Sequence, residues 1–423
     1  MTKKLEIEQT EIESPYELPE GWKWESLEKL CSIPITDGTH QTPTYSDSES
    51  GISFISSKDV TKEFIDWSNI KYITKELHSE LYKRVAPQID DILLAKNGTT
   101  GVAAIVDTDK IFDIYVTLAL VRPNKEKVLP RYLLQVINSP VCKNQFDEHL
   151  TGIGVPNLHL RDIKITKIPL PPTLAEQKRI VSRIETLFAK LDEAEEKTRA
   201  VLDGFETRKA AILHKAFSGQ LRIDNEELTI EDWEDTTIGE CLFPMTTKIP
   251  TGTTFRYIDI DAIDNKIQKV KTPKVLKVSE APSRASRELK ENDVLFSMVR
   301  PYLKNIAFID KSLCDCIAST GFYVCRCKEK LSPLYLYNFL CSKDAIDYLM
   351  QFMKGDNSPS IRKDDLLSMP IKLPPLNYQL SIVNFLDTVL EKESRAKEAA
   401  QTVLDQIALL KKSILARAFR GEL

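Results

Sequence analysis

The hydrophobic pattern is most regular in two long segments, 174–217 and 376–419, and each is predicted to form one continuous helix. Neither segment contains proline, and Gly204 is the only glycine in the two. Apolar residues recur in alternating steps of four and three, which is typical of a coiled-coil seam. This seam comprises Ile180, Ile184, Leu187, Leu191, Val201, Phe205 and Ile212 in the first helix and Ile382, Leu386, Val389, Val403, Ile407, Leu410 and Ile414 in the second. A helix of that length would extend roughly 65 Å.

Both helices have clear start and stop signals. Each follows a Pro-Pro pair, 171–172 or 374–375, and each ends in a Phe-x-Gly sequence. Proline is excluded from a helix interior, whereas glycine readily takes the left-handed conformation that ends a helix. We therefore expect Gly219 and Gly421 to terminate the two helices.

The helices belong to an internal repeat. VLDGFETRKAAILHKAFSGQL at 201–221 aligns with VLDQIALLKKSILARAFRGEL at 403–423, so that Lys209 matches Lys411 at an offset of 411 − 209 = 202. The similarity continues upstream through the two LPP sequences and through DILLA and DVLFS. A period of this size indicates two copies of a domain-sized unit.

The repeat predicts five regions. They are a tail (1–16), a globular domain (17–172), a helix (173–221), a second globular domain (222–375) and a second helix (376–423). Strands are predicted within 102–107, 117–121, 294–299 and 322–327, and short helices within 131–138 and 334–342. The fold class is therefore α+β.

Two arrangements of the helices fit the pattern. They could pair between chains as a dimerisation coiled coil, or within the chain. Only a short linker near 222–229 separates the first helix from the second globular domain. This favours an internal antiparallel pair, with one globular domain at each end and a pseudo-two-fold axis between them.

Composition narrows the class of protein. With 423 residues, 42% of them hydrophobic and 28% charged, the chain can bury two ordinary cores. The formal net charge is −4, so the chain as a whole is not basic. Any nucleic-acid binding would therefore depend on local basic patches. No secretory signal or membrane span is expected, and the eight cysteines indicate reduced cytosolic thiols.

Motifs for catalysis or metal binding are weak. No G-x-x-x-x-G-K-[ST] phosphate loop is present, and the Pro-Pro pairs lack the Asn/Asp and aromatic neighbours that an amino-methyltransferase needs. The pairs Cys314/Cys316 and Cys325/Cys327 admit a zinc site. However, C-x-C is less typical of structural zinc than C-x₂₋₄-C, so core thiols are favoured. We predict no catalytic residue and no metal site on this chain.

Polar and basic loops lie at matching places in the two halves. Lysine and arginine neutralise phosphates, while asparagine, glutamine and arginine can read base edges, so these loops are candidate DNA-binding segments. Ordinary solvated loops are the alternative. The candidates are His40, Gln41, Thr42, Lys96, Asn97, Thr99, Thr100, Asn157, His159 and Arg161 in the first half and Arg300, Tyr302, Lys304, Asn357, Ser358, Ser360 and Arg362 in the second.

The chain resembles the specificity subunits of type I restriction-modification systems over nearly its whole length. The resemblance is carried by ELPEGWKWESLEKL, TDGTHQTP, the DILLA and DVLFS-MVRPYLK segments, and the doubled LPP…Q…IV helices ending in AF-x-G-x-L. It implies two target recognition domains that each read one half of a split DNA site. The helices would then form the spacer between the half-sites, about 10 bp centre to centre.

The resemblance also implies partners. Two methyltransferase subunits, binding S-adenosylmethionine, would dock on the helices, and restriction subunits using ATP and Mg²⁺ would join through them. No cofactor is expected on this chain, which would be cytoplasmic and not membrane-bound. The second half departs from the first in lacking TDGTHQTP, and Tyr378 stands where the first half has Glu176. A coiled-coil scaffold without a DNA role and a self-contained DNA-modifying enzyme are the alternatives.

Overall fold

A computed structural model describes residues 15–150, 156–221 and 233–423. Its contacts divide the chain into a first unit, Met1–Thr198 with Thr402–Leu423, and a second unit, Arg199–Gln401. The boundaries predicted from the repeat separate helices from globular domains, whereas this division cuts both helices. Each unit thus contains a globular part and a segment of each long helix.

The first unit contains three small sheets, with strand orders β1-β10, β2-β9-β6-β7 and β3-β5-β4-β8. Strand β6 is buried along its whole length and pairs antiparallel with β7 and β9. The elements are β1 (Lys23–Ser26), β2 (Thr36–Asp37), β3 (Tyr45–Ser46), β4 (Ile52–Ile55), β5 (Lys71–Ile73), α1 (Lys75–Arg84), β6 (Ile92–Ala95), β7 (Ala103–Ile105), β8 (Phe112–Ile114), β9 (Leu118–Val121), α2 (Pro130–Ile137), α3 (Pro140–Glu148), α4 (Leu160–Ile165), β10 (Lys167–Leu170) and the long α5 (Leu174–Phe217).

The second unit has a related plan, in which β17 is the buried strand and pairs antiparallel with β18 and β20. Its other sheets have the orders β15-β12-β19-β16, β13-β14 and β11-β21. The elements are β11 (Glu234–Thr237), β12 (Thr254–Ile258), β13 (Ile263–Asp264), β14 (Lys269–Val270), β15 (Lys274–Lys277), β16 (Ala285–Glu288), β17 (Val294–Ser297), β18 (Ile306–Phe308), β19 (Ile317–Ser319), β20 (Phe322–Cys325), α6 (Pro333–Cys341), α7 (Lys343–Met350), α8 (Lys363–Leu367), β21 (Pro370–Leu373) and the long α9 (Leu376–Phe419).

The α+β class and the elements predicted from the sequence are confirmed. Both long helices have the predicted bounds, and the predicted strands and short helices correspond to β7, β9, β17, β20, α2 and α6. Gly219 and Gly421 have φ of 72° and 76°, the left-handed conformation expected at the helix ends. None of the helices that the structure describes is apolar enough over a sufficient length to cross a membrane.

A buried glutamine holds the start of each long helix to its globular part. The side-chain oxygen of Gln177 accepts a hydrogen bond from the N–H of Leu129 (2.8 Å), and its amide donates to the carbonyl of Lys127 (3.1 Å). Gln379 makes the equivalent pair of bonds in the second unit. Each glutamine is 1% exposed, so full hydrogen bonding is what makes its burial tolerable.

The end of each long helix completes a core. In the first unit Phe419, at the end of α9, packs edge-on against Tyr132 with ring centroids 5.5 Å apart. In the second unit Phe217, at the end of α5, packs in the same way against Tyr335 at 5.1 Å. Each globular part is therefore covered by the helix end that belongs to the other repeat.

The two long helices run antiparallel within each unit. In the first unit the Lys411 ammonium lies 2.6 Å from Asp192 and 2.9 Å from Glu195. In the second unit Arg208 pairs with Glu393 at 3.1 Å, and Lys397 with Glu206 at 3.2 Å. Partner numbers in α9 fall as the numbers in α5 rise, which confirms the antiparallel pairing within the chain.

The predicted seam is wrong at three positions. Val201, Val403 and Leu410 are 49%, 40% and 50% exposed, and in each case the following residue is the less exposed one. A straight helix of 3.6 residues per turn drifts from a strict seven-residue repeat, which shifts the contact by one position. Of the remaining seam residues, Ile180, Ile184, Phe205, Ile382, Leu386 and Ile407 are buried, and Leu187, Leu191, Ile212, Val389 and Ile414 are partly buried.

Candidate nucleic-acid interface

Backbone hydrogen bonds join two candidate loops in the first unit. The N–H of Gly98 donates to the carbonyl of Pro156 (3.2 Å), and the N–H of Leu158 donates to the carbonyl of Lys96 (2.8 Å). The loop after β6 is thereby held against the loop before α4. We call residues 96–98 with 156–158 the first clip.

The second unit repeats this arrangement. The N–H of Arg300 donates to the carbonyl of Pro359 (2.8 Å), and the N–H of Ile361 donates to the carbonyl of Met298 (3.0 Å). The offsets are 300 − 98 = 202 and 359 − 156 = 203, those of the sequence repeat. Residues 298–300 with 359–361 form the second clip, so the repeat extends to the backbone bonding of these loops.

The side chains on the two clips differ. In the first clip the Asn97 amide donates to the side-chain oxygen of Asn157 at 2.8 Å, and both residues are partly exposed. The positions joined by the equivalent backbone bridge in the second clip are Val299 and Ser360. An asparagine pair offers amide donors and acceptors, the groups that read adenine edges. Val299 and Ser360 have no amide side chain, so the second clip lacks these groups at the same positions.

Arg300 has an unusual backbone in the second clip. Its φ is 49°, and the corresponding residue of the first clip is Gly98, with φ of 76°. A residue with a side chain pays about 1–3 kcal/mol for this conformation, and such strain concentrates at functional sites. The exposed Arg300 guanidinium donates to the carbonyl of Asn357 at 2.8 Å, which orders the neighbouring loop.

The candidate residues around His40 are connected to the first clip through Asp37. The buried Asp37 carboxylate lies 2.9 Å from the Lys96 ammonium, 3.2 Å from the His40 ring and 3.3 Å from the Arg84 guanidinium. Lys96 is itself buried, so its charge is neutralised within the protein and its contacts join two loops. His40 and the adjacent Gln41 and Thr42 are exposed.

Lys304 is separated from Arg300, with which the sequence grouped it. The two residues lie at opposite ends of a single 3₁₀ turn, Pro301–Leu303, which also carries the exposed Tyr302. The Lys304 ammonium donates to the carbonyl of Cys341 at 3.1 Å. Burial lowers the pKa of Lys304, which therefore faces a different environment from the exposed Arg300.

The remaining candidates lie near the clips with varying exposure. In the first unit Thr99 and Arg161 are exposed and Thr100 and His159 are partly exposed; in the second unit Ser358 and Arg362 are exposed. Residues 151–155, which precede the first clip in the loop motif, are outside the described residues.

Sequence reasoning missed two groups of charged residues. Asp37 lies within the TDGTHQTP motif, yet nothing in the sequence marked its carboxylate as the point where Lys96, Arg84 and the His40 ring meet. Arg84 comes from α1, distant in sequence, and no local pattern identifies it. Arg287 of β16 was also missed; its Nε atom is buried without a partner in the described part of the chain, and burial lowers its pKa.

The cysteines have the properties of core thiols. Cys316 and Cys325 are buried, and burial raises the pKa of Cys316 to about 11 and that of the half-buried Cys327 to about 12. Such thiols are protonated at neutral pH and are poor nucleophiles or metal ligands. Across residues 15–150, 156–221 and 233–423 no three His, Cys, Asp or Glu side chains are grouped to bind a metal ion.

Two globular parts of one plan, with matched loops that present different polar groups, define a class of protein with two related recognition surfaces. The model of the type I restriction modification DNA specificity domain matches this chain twice, at residues 19–203 and 230–403. The chain belongs to this family, and its role is that of a DNA-recognition subunit.

Proteins with similar sequences are type I restriction enzyme specificity subunits. The chain is 30% identical over 234 residues to the type I restriction enzyme EcoBI specificity subunit of Escherichia coli, a match covering 54% of this chain and 48% of that subunit. It is 21% identical to the EcoKI specificity subunit of E. coli K12, over 96% of this chain and 90% of the relative. It is 25% identical to a candidate specificity subunit, MjaX, of Methanocaldococcus jannaschii, over 96% of this chain and 95% of the relative.

Solved structures share the fold. A chain from a type I restriction-modification system, studied for complex assembly and conformational transition, superposes with a TM-score of 0.73 at 22% identity, covering 97% of this chain and all of that one. The HsdS subunit of Thermoanaerobacter tengcongensis gives a TM-score of 0.61 at 23% identity, covering 97% and 99%. The chain therefore has the fold of these specificity subunits.

Proposed function

We propose that each unit reads one half of a bipartite, asymmetric DNA sequence and that the chemistry resides on partner chains. The observation that carries this proposal is the pair of clips. Their backbone bonds recur at the offset of the repeat, while Asn97 and Asn157 in the first are replaced by Val299 and Ser360 in the second. Equivalent frames with different side chains are suited to two different half-sites.

The chemistry of the clips suggests which contacts specify bases. Paired asparagine amides can bond adenine edges, whereas the Arg300 guanidinium can bond a guanine with two parallel hydrogen bonds. We expect the exposed His40, Gln41 and Thr42 to add contacts in the first unit alone, since the second lacks this motif. We therefore expect unlike half-sites and no palindrome.

The proposal includes the partners that family membership suggests. Two copies of the methyltransferase subunit would bind the similar helix ends, 201–221 and 403–423, because a repeated surface suits a repeated partner. S-adenosylmethionine would bind those subunits, and ATP and Mg²⁺ would bind restriction subunits that join the complex. Double-stranded DNA would be the shared ligand, and the complex would act in the cytoplasm.

Arg300→Ala should weaken DNA binding of the assembled complex by about 1–3 kcal/mol, through the second half-site only. The physical reason is the loss of a base-edge or phosphate contact from an exposed guanidinium. Anisotropy titrations measure this with DNA in which one half-site at a time is scrambled, after methylated adenines have identified both half-sites.

Arg300→Gly separates the effect of losing the side chain from the effect of backbone strain. Glycine already occupies the corresponding left-handed position of the first clip, so this change removes the guanidinium without adding strain. Both variants should lose the same affinity. If Arg300→Gly binds as tightly as the wild type, Arg300 is not part of the interface.

Matched deletions should shorten the spacer between the half-sites. Removing 195–201 from α5 and 402–408 from α9 takes seven residues, or about 10 Å, from each helix. The preferred spacer should shrink by about 3 bp, or binding should be lost, because the helices would set the distance. Binding selection from a library of spacer lengths measures this.

A double variant controls for changes at the helix surface. Val201→Ala with Val403→Ala alters two exposed side chains, one within each deleted segment, and should leave the spacer unchanged. Altered half-site bases with an unaltered spacer would contradict the role assigned to the helices.

A further inference from the structure

A cavity of about 470 Å³ in the second unit is lined by an excess of lysines. It lies where α5 and α9 meet the globular part of that unit. We call it the lysine cavity, and its charged lining consists of Lys209, Lys266, Lys304, Lys343, Lys397 and Glu206. Its volume is within the range of ordinary ligand sites.

The carboxylates around the cavity do not balance its lysines. Lys397 pairs with Glu206 and Lys343 with Asp347, but all four side chains are more than half exposed, and such pairs contribute little. Within the described residues, Lys209, Lys266 and Lys304 have no carboxylate partner.

The two innermost lysines bind neutral oxygens instead. Lys304 donates to the carbonyl of Cys341, and the Lys209 ammonium lies 3.5 Å from the side-chain oxygen of Gln268. Burial is the largest cause that lowers the pKa of Lys304, and the like charge of Lys209 also lowers it, while Cys341, Glu206 and Asp347 only partly oppose this shift. A bound anion would offset both the repulsion and the desolvation of these ammonium groups.

The first unit shows that the helix frame does not require this excess charge. Lys411 is the counterpart of Lys209 at the offset of 202, and its ammonium is neutralised by Asp192 and Glu195. Its surroundings therefore carry no excess of positive charge. The unbalanced cavity is a property of the second unit.

We propose that the lysine cavity binds phosphate groups. Lysine ammonium groups are compact point charges with three donors each, which suits the oxygens of phosphate. The cavity lies one 3₁₀ turn along the chain from the second clip, because Arg300 precedes that turn and Lys304, which lines the cavity, follows it. This proximity in sequence favours phosphates of the DNA backbone next to the second half-site, and that source depends on the proposed function; a free polyphosphate has the same chemistry.

The test uses a double variant, Lys209→Met with Lys304→Met, in the full chain assembled with its partner subunits. Methionine keeps the length of each side chain, and thermal unfolding monitors the fold, which should be no less stable without the unpaired charges. Lys190→Met with Lys392→Met, at two exposed helix positions outside 201–221 and 403–423, is the matched control for loss of two charges. The readouts are DNA affinity over a range of salt concentrations, on specific and scrambled DNA, and binding of tripolyphosphate.

If DNA phosphates occupy the cavity, the slope of log affinity against log salt should decrease in magnitude by nearly 2 for the Lys209/Lys304 variant and remain unchanged for the Lys190/Lys392 control. The loss should be the same for both DNA sequences. If the slope is unchanged but tripolyphosphate binding is lost, the phosphates come from a free ligand.

Unchanged binding of both DNA and tripolyphosphate would overturn the proposal. The proposal would also be overturned if the double variant weakened only assembly with a partner subunit, since the cavity would then bind an acidic protein surface. Failure of the proposed function is distinguishable, because the wild-type complex would then bind specific and scrambled DNA equally.

Discussion

Phe419→Ala is expected to lower the free energy of unfolding of the first unit by about 3–5 kcal/mol. Phe419 is fully buried near the carboxyl end of α9, and its ring packs edge-on against Tyr132. Truncation would leave a cavity in a core formed by residues far apart in sequence. Hydrogen exchange of amides in the two units measures the change, because exchange in the first unit should accelerate far more.

Phe217→Ala is the internal control, at the corresponding position of α5. Phe217 is only partly buried against Tyr335, so a smaller loss is expected, and it should appear in the second unit. If each unit reads one half-site as proposed, each variant should also weaken binding to the half-site of the unit that it destabilises. Equal effects of either variant on both units would contradict the assignment of helix ends to cores.

Asp293→Ala should destabilise the second unit by about 3–5 kcal/mol, because it leaves the largely buried charge of Arg326 without its bidentate partner. The Asp293 carboxylate is fully buried and accepts two parallel hydrogen bonds from Arg326, at 2.9 and 2.8 Å. It also accepts the N–H of Lys290 at 2.7 Å, which holds the turn before β17. Urea unfolding followed by hydrogen exchange in the second unit measures the loss.

An exposed arginine–aspartate pair in the same unit provides the control. Asp315 lies 2.7 Å from Arg256 and is mostly exposed, so Asp315→Ala should cost no more than about 1 kcal/mol. A comparable loss from both aspartates would mean that burial does not determine the strength of these pairs. Asp91 and Arg122 form the same bidentate pair in the first unit, so Asp91→Ala should destabilise that unit as Asp293→Ala destabilises the second.

The long helices were predictable from local pattern because proline, glycine and apolar spacing act over a few residues. Their bounds were correct, yet Val201, Val403 and Leu410 were assigned to the wrong face. The seam depends on the path of two helices over many turns, and a small difference in period accumulates over that length. Single-sequence periodicity could not detect such a shift.

The candidate site was only partly predictable for a related reason. Asn97 and Asn157 were chosen separately and are joined in the structure, whereas Lys304 was grouped with Arg300 and is separated from it. Four residues of sequence do not reveal on which side of a 3₁₀ turn a long side chain lies. The lysine cavity was missed because its lysines come from five separate segments.

The sequence by itself determined the two-fold repeat, the α+β class, the long helices and the family, since each depends on residue order and spacing. Only the tertiary structure decided which helix end fills which core, which loops are bonded into clips, and which cations keep an unbalanced charge. Those features depend on contacts between residues as far apart as Tyr132 and Phe419. Burial and charge balance are settled in three dimensions, where distant segments exclude water from one another.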